Sequence, residues 1–200
     1  MSTRESVLHH GAQFVMNPAN MITAARIAAS PLLFVAIVSN EESNGTSWLA
    51  FTLCWIFGAT DYIDGELARR YDLVSRSGAF LDPLADKVVV IGSMVSLFIV
   101  GRYHWFPVAL VVIREIGITA FRSYWVRKGR VVPARTLGKW KSLFQGLAIV
   151  AAVFPTWKDQ DLVVNGLLWF AVAFTLYSGL MYLLDGSAAT RASGNLNEAP

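Results

Sequence analysis

Four aspartates stand close together in this 200-residue chain: Asp61 and Asp64 three residues apart, then Asp82 and Asp86 four apart. They belong to two short runs, Asp61-Tyr-Ile-Asp64-Gly65-Glu-Leu-Ala68-Arg69 and, eight residues later, Gly78-Ala-Phe-Leu-Asp82-Pro-Leu-Ala-Asp86. On a helix, residues three or four apart share a face, and a spacing of three is about 4.5 Å of axial rise. If the two runs pair antiparallel, all four carboxylates converge on one pocket. Acids held that closely repel each other unless cations neutralise them. An all-oxygen donor set of high charge suits a hard divalent ion such as Mg²⁺ or Mn²⁺, or a pair of ions about 4 Å apart.

The residues between the acids extend this chemistry. Gly65 and Ala68 keep the same helix face small, so a ligand can approach. Arg69, two turns below Asp61, can clamp a phosphate bidentately. Gly78 permits a tight approach in the link. Ions beside an arginine and small residues describe a diphosphate site, in which Asp86 is available as general base for an attacking hydroxyl. No Ser or Cys is paired with a base, so a covalent intermediate is not expected. The bland alternative is a set of helix-end carboxylates balanced by Arg69, Arg70 and Lys87. His9 and His10 read as a solvated pair, and the lone Cys54 as a small buried hydrophobe that excludes an internal disulfide.

The elements that must position these groups are apolar. Hydrophobic residues make up 54% of the chain, and several runs reach the ~20 residues needed to cross a hydrocarbon core of about 30 Å. This predicts an all-α integral membrane protein with six transmembrane helices. They lie near residues 21–38, 48–70, 81–100, 106–126, 141–155 and 162–184. The six-helix domain covers 19–185. A juxtamembrane segment, 1–18, can lie on the surface as a short amphipathic stretch through Phe14, Val15 and Met16. The polar tail, 186–200, is expected to be disordered. Pro31 should kink the first span. Asn20, Thr23 and Arg26 form a polar stripe there, with Arg26 either snorkelling to the surface or facing a polar cavity.

Charge supplies orientation and a second site. Of 17 Lys and Arg residues, all but Arg102 and Lys158 fall on one side of the six spans. That skew places both termini, the acid motif and the basic loop in the cytoplasm. No nucleic-acid motif is present. Arg114 and Arg122, two turns apart in one span, and Lys139 and Lys141 at the next suit a phosphorylated acceptor beside the metals. A direct Arg114–Glu115 pair is not expected, because neighbours on a helix point apart. Arg127, Lys128 and Arg130 read as anchors on anionic lipid.

The pattern D-x2-D-G-x2-A-R-x8-G-x3-D-x3-D, complete here, resembles the signature of the CDP-alcohol phosphatidyltransferases. The resemblance implies a six-helix membrane enzyme, commonly a homodimer, that uses Mg²⁺ or Mn²⁺, here two ions, and releases CMP. It implies Asp61, Asp64, Asp82 and Asp86 as metal ligands, with Asp86 also as base. It places Asp61, Gly65, Ala68, Arg69 and Gly78, with Asn20 and Thr23, around the cytidine diphosphate. Ile113-Arg114-Glu115, Arg122, Gln145 and the run Val132-Pro133-Ala134-Arg135-Thr136-Leu137-Gly138-Lys139-Trp140-Lys141 are similar to the bacterial phosphatidylglycerophosphate synthases. So is Asn17-Pro-Ala-Asn-Met-Ile-Thr23. Arg135 stands where a small residue is common, and Ser142 where Thr is. This second likeness implies CDP-diacylglycerol and glycerol 3-phosphate as substrates in a bacterial inner membrane. Arg114, Arg122, Arg135 and Lys139 would hold the acceptor phosphate. A sister enzyme taking inositol phosphate, phosphatidylglycerol or serine is the alternative. An ion-binding transporter without CMP release is a third reading.

Overall fold

Six long α-helices and two short 3-10 turns, Glu41–Ser43 and Pro155–Trp157, make up the regular structure among the described residues. The long helices are α1 Pro18–Val38, α2 Trp48–Arg70, α3 Gly78–Ile99, α4 Trp105–Arg127, α5 Thr136–Val153 and α6 Asp161–Asn197. The computed structural model describes the backbone of residues 18–70, 78–127 and 136–197, and the side chains of 21–63, 84–125 and 137–184. The expected amphipathic segment at 1–17 and the basic loop at 128–135 lie outside them. The helix starts and stops match the sequence expectation closely, except at the C-terminus. There α6 stays helical through Asn197, where a disordered tail was expected. Ala188, Ala189 and Ala192 favour helix, and the stretch contains no proline before Pro200 to stop it.

The helices form a closed ring in the order α1, α2, α5, α6, α4, α3, and α3 also touches α5 across it. Chain order and ring order therefore differ. Among the described residues, two windows are long and apolar enough to cross a bilayer by composition, Met21–Val38 in α1 and Asp161–Leu184 in α6; Trp48–Ile63 in α2 is a shorter apolar stretch. The outward surface is oily: Leu32, Val35, Ile56, Ile113, Ile116, Phe170 and Leu180 are all more than half exposed. A water-soluble bundle would hide such residues, whereas lipid accepts them.

Inside the ring, five helices change character at one level. In α1 the buried residues run Thr23, Arg26, Ser30, then Leu33, Ala36, Ile37. In α4 they run Val108, Val111, then Glu115; in α5 Lys141 and Gln145, then Ala148, Ile149 and Ala152; in α6 Val164, Leu168 and Val172, then Thr175 and Ser178. In α3 the half-buried Asp86 and Lys87 precede Val90, Met94 and Leu97. One half of the bundle is thus an apolar core and the other a polar interior. Between helices surrounded by lipid, the first half holds by close van der Waals packing and the second by interhelical hydrogen bonds and ion pairs.

Local details follow from backbone chemistry. Pro31 has no N–H to give the carbonyl of Ile27 four residues back, and the Ser30 hydroxyl donates to that carbonyl instead, at 2.8 Å. Thr52 and Thr60 likewise donate to their i−4 carbonyls, at 2.7 and 2.8 Å, so they can face lipid without an unmade bond. α1 and α3 approach closely at Gly92, where an added Cβ would lie 2.1 Å from the Phe34 ring.

At the apolar end the connections knit together. Arg102, between α3 and α4, donates from Nη1 to the Lys158 carbonyl and to Asp161 Oδ1, both at 2.7 Å, and from Nη2 to the Trp157 carbonyl at 2.6 Å. Its neighbour Tyr103 is 2% exposed and donates to the Ala148 carbonyl at 2.8 Å. The Ser47 N–H reaches the Val153 carbonyl at 3.2 Å, and the Ser47 hydroxyl caps α2 by accepting from Ala50 N–H at 3.1 Å. Trp48, Phe51, Phe154 and Trp157 pack ring on ring around this corner, as amphipathic aromatics do at a membrane interface.

Candidate active site

The polar half is assembled from the starts of α1, α3 and α5 and the later turns of α2, α4 and α6. Up-and-down connectivity brings those ends together. Arg26, 6% exposed in α1, pairs with Asp61 Oδ1 in α2. Of the two sequence readings for Arg26, snorkelling and cavity-facing, the structure takes the second. A carboxylate beside it offsets much of the cost of burying a guanidinium at that depth. Thr23, one turn earlier, is fully buried on the same stripe.

Asp61 and Asp86 come from different helices yet lie within electrostatic reach of each other, together with Lys87, Glu115 and Lys141. Asp86 forms no ion pair among the described residues; its Oδ2 accepts a long 3.4 Å contact from the Ser142 hydroxyl on α5. Asp61 has only Oδ1 engaged by Arg26. Each of the two carboxylates thus keeps an oxygen without an ion-pair partner among the described residues, and oxygen donors of that kind are what a hard divalent ion takes as ligands. The described side chains include no group of three His, Cys, Asp or Glu at one point. Asp64, Gly65, Ala68 and Arg69 continue α2 for its last two turns; Gly78 opens α3 and Asp82 follows one turn later. Those six, with Asn20, have described backbone only. Their helical register keeps the 61–64 and 82–86 pairs at the spacing the motif needs.

The basic residues separate into two kinds. Arg122 and Lys139 are exposed, at the polar end of α4 and α5. Arg135 lies outside the described residues. Arg114 is enclosed, with a side chain 12% exposed. Its Nη1 donates to Glu115 Oε1 at 3.1 Å and its Nη2 to Ser178 Oγ at 2.9 Å. The direct Arg114–Glu115 pair corrects the sequence expectation. Both side chains are long enough to curl into the gap between α4, α5 and α6, where they meet although their Cβ atoms diverge. Gly179 makes the room: a Cβ there would sit 3.1 Å from Arg114 Nε.

Glu115 is the hub. Its Oε1 receives Lys141 Nζ at 2.6 Å, Arg114 Nη1 at 3.1 Å and Gln145 Nε2 at 3.4 Å. Gln145 Nε2 also donates to Thr175 Oγ1 at 3.0 Å, and the Ser178 hydroxyl donates to the Thr175 carbonyl at 3.0 Å. One carboxylate, two cations and three neutral polar groups thus bind α4, α5 and α6 together. The roles of Glu115, Thr175 and Ser178 were not foreseen from the sequence. Their signal is present as polar residues at helical spacing inside apolar spans, Lys141 with Gln145 and Thr175 with Ser178.

The arrangement can neutralise and orient an anion: carboxylates able to hold divalent cations line one side, and a net-positive cluster faces them. Comparison with known proteins points the same way. The family model of the CDP-alcohol phosphatidyltransferases matches residues 16–189. A Bacillus subtilis protein named CDP-diacylglycerol–glycerol-3-phosphate 3-phosphatidyltransferase is 32% identical over 196 residues, covering 90% of this chain and 100% of its own. Proteins of the same name from Haemophilus influenzae and Rickettsia bellii are each 32% identical, over 168 residues (81% of this chain, 89% of its own) and 171 residues (83% and 93%) respectively.

Proposed function

This chain belongs to the CDP-alcohol phosphatidyltransferase family, and from that premise we propose that it transfers the phosphatidyl group of CDP-diacylglycerol to glycerol 3-phosphate, releasing CMP. The observation that supports the reading is that Asp61 and Asp86, from the two parts of the acid motif, lie within electrostatic reach of each other in the polar half that also holds the buried Lys141. The names borne by relatives covering most of the chain support the choice of substrates.

In the proposed reaction a hydroxyl oxygen of glycerol 3-phosphate forms a new bond to the lipid-side phosphorus of CDP-diacylglycerol. The bond from that phosphorus to the oxygen of the cytidylate phosphate breaks, and CMP leaves with the electron pair. Asp86 accepts the hydroxyl proton. Asp61, Asp64 and Asp82, with Asp86, would hold Mg²⁺ or Mn²⁺, as two ions. The ions would supply charge neutralisation and alignment of the diphosphate. Arg26 fixes the Asp61 carboxylate from behind. Arg69 would clamp the diphosphate, with Gly65, Ala68, Gly78, Asn20 and Thr23 leaving it room. Arg122, Lys139 and Arg135 would meet the acceptor phosphate, with Arg114 adding positive field from within the bundle. A serine acceptor carries no such dianion and would not need that field.

We further read the ring as six membrane spans with both termini and the polar half on the cytoplasmic side of a bacterial inner membrane, in a homodimer. The basic residues crowd the polar half, as positive-inside orientation requires. The deciding experiment is CMP release by purified protein with CDP-diacylglycerol and Mg²⁺, comparing glycerol 3-phosphate, inositol phosphate, phosphatidylglycerol and serine. Turnover confined to glycerol 3-phosphate is expected. Turnover only with another alcohol would move the acceptor, and no CMP with any of them would sink the enzyme reading.

A further inference from the structure

Lys141 enters the polar half between two carboxylates. Its ammonium lies 2.6 Å from Glu115 Oε1, and the side chain is 7% exposed. The next residue, Ser142, faces Asp86 instead, at 3.4 Å. Lys141 also lies within electrostatic reach of Asp86, but the two form no ion pair. Leaving a buried ammonium without a partner costs several kcal/mol, so loss of the Glu115 charge favours any carboxylate within reach. Asp61, another acid nearby, is already engaged by Arg26. Were Glu115 neutral, the nearest uncommitted carboxylate for Lys141 would be Asp86.

We propose that Glu115 is a positioning residue that holds the Lys141 ammonium away from Asp86, keeping the Asp86 carboxylate free of an ion pair and open to a divalent cation. The inference rests on the assignment of Asp86 given above. Charge counting sharpens it. Glu115 with Arg114 and Lys141 carries a net charge of +1; Glu115→Gln raises this to +2, and Glu115→Gln with Lys141→Met restores +1. The isosteric glutamine keeps the shape and loses the hold. The released lysine then closes on Asp86 as an ion pair that competes with a divalent cation.

The test compares Glu115→Gln, Glu115→Asp, Lys141→Met, Asp86→Asn and the double variant Glu115→Gln/Lys141→Met in lipid nanodiscs. Two quantities are read: CMP release with glycerol 3-phosphate, and Mn²⁺ binding without substrates, followed by the loss of the free-ion EPR signal. Glu115→Gln should lose at least tenfold in both. The double variant should regain most of the lost Mn²⁺ binding, and Glu115→Asp should outperform Glu115→Gln in both readouts. A double variant that folds but binds Mn²⁺ as poorly as Glu115→Gln would overturn the proposal. So would Glu115→Gln matching or exceeding Glu115→Asp, which would mean that shape rather than charge is needed. If Glu115→Gln does not fold, the double variant decides alone: folded and binding Mn²⁺ supports the hold, folded without Mn²⁺ binding refutes it. Asp86→Asn separates the two claims, since full activity there would refute the role of Asp86 whatever Glu115 does.

Discussion

Arg102, in the connection before α4, and Arg114, midway along α4, are both arginines enclosed in the bundle, and their partners differ in kind. Arg102 spends its donors on the carbonyls of Trp157 and Lys158 and on Asp161, itself largely exposed. Arg114 spends its own on Glu115 and Ser178, side chains that are themselves bonded to others. Main-chain carbonyls stay where the fold puts them, so the Arg102 end is a fixed clasp joining two connections. Side chains can change partners, so the Arg114 end is a shared charge whose distribution depends on every member. The apolar end holds the bundle closed, and the polar end holds cations ready beside carboxylates.

Substitutions can break that contrast, in descending order of effect. Asp86→Asn at the polar end should cut CMP release about 10²–10⁴-fold, worth about 3–5 kcal/mol in the barrier, with no change in the thermal midpoint of the purified protein. Arg102→Met should do the converse. Two partly buried carbonyls and Asp161 lose their donor, for about 1–3 kcal/mol of stability. The midpoint should fall while CMP release per folded molecule at low temperature holds. A large activity loss in Arg102→Met would mean that the two ends are not independent. Arg122→Ala, on the exposed rim of the polar end, should raise the KM for glycerol 3-phosphate about tenfold, equal to about 1.4 kcal/mol, with kcat nearly kept. Smallest is Tyr103→Phe. Burial pushes the phenol far above its ordinary pKa, so the group is a neutral donor at any working pH. Its loss should cost about 1 kcal/mol, read as a modest drop in midpoint without a pH-dependent component.

The sequence carried the helices well, because hydropathy and the positions of charge reflect only the local surroundings of a residue, lipid or water. Helical register, legible in the same way, sets 61 beside 64 and 82 beside 86. The sequence did not carry partner choice. Lys141 meets Glu115 from 26 residues away because α5 and α4 both border α6 and enclose one gap, and ring order cannot be read from chain order. The Arg114–Glu115 pair escaped for a related reason: Cβ directions separate sequence neighbours, yet long side chains bend towards a common space that only the assembled helices create. Ser30 beside Pro31 belongs to the same class, its hydroxyl filling a vacancy that proline creates. The helical extension of α6 shows that polar composition alone does not mark the end of a helix.

The clasp at Arg102 also sets an order of assembly. Its partners lie 55–59 residues further along the chain. At a synthesis rate of about 5–20 residues per second, they emerge roughly 3–12 s after it. Throughout that interval the α3–α4 hairpin displays a solvated cation at the face of the bundle that is otherwise nearly free of basic charge. The arrival of the α5–α6 corner removes that charge from solvent. Closure of the ring is therefore a late event, and the last two helices are the ones that complete it.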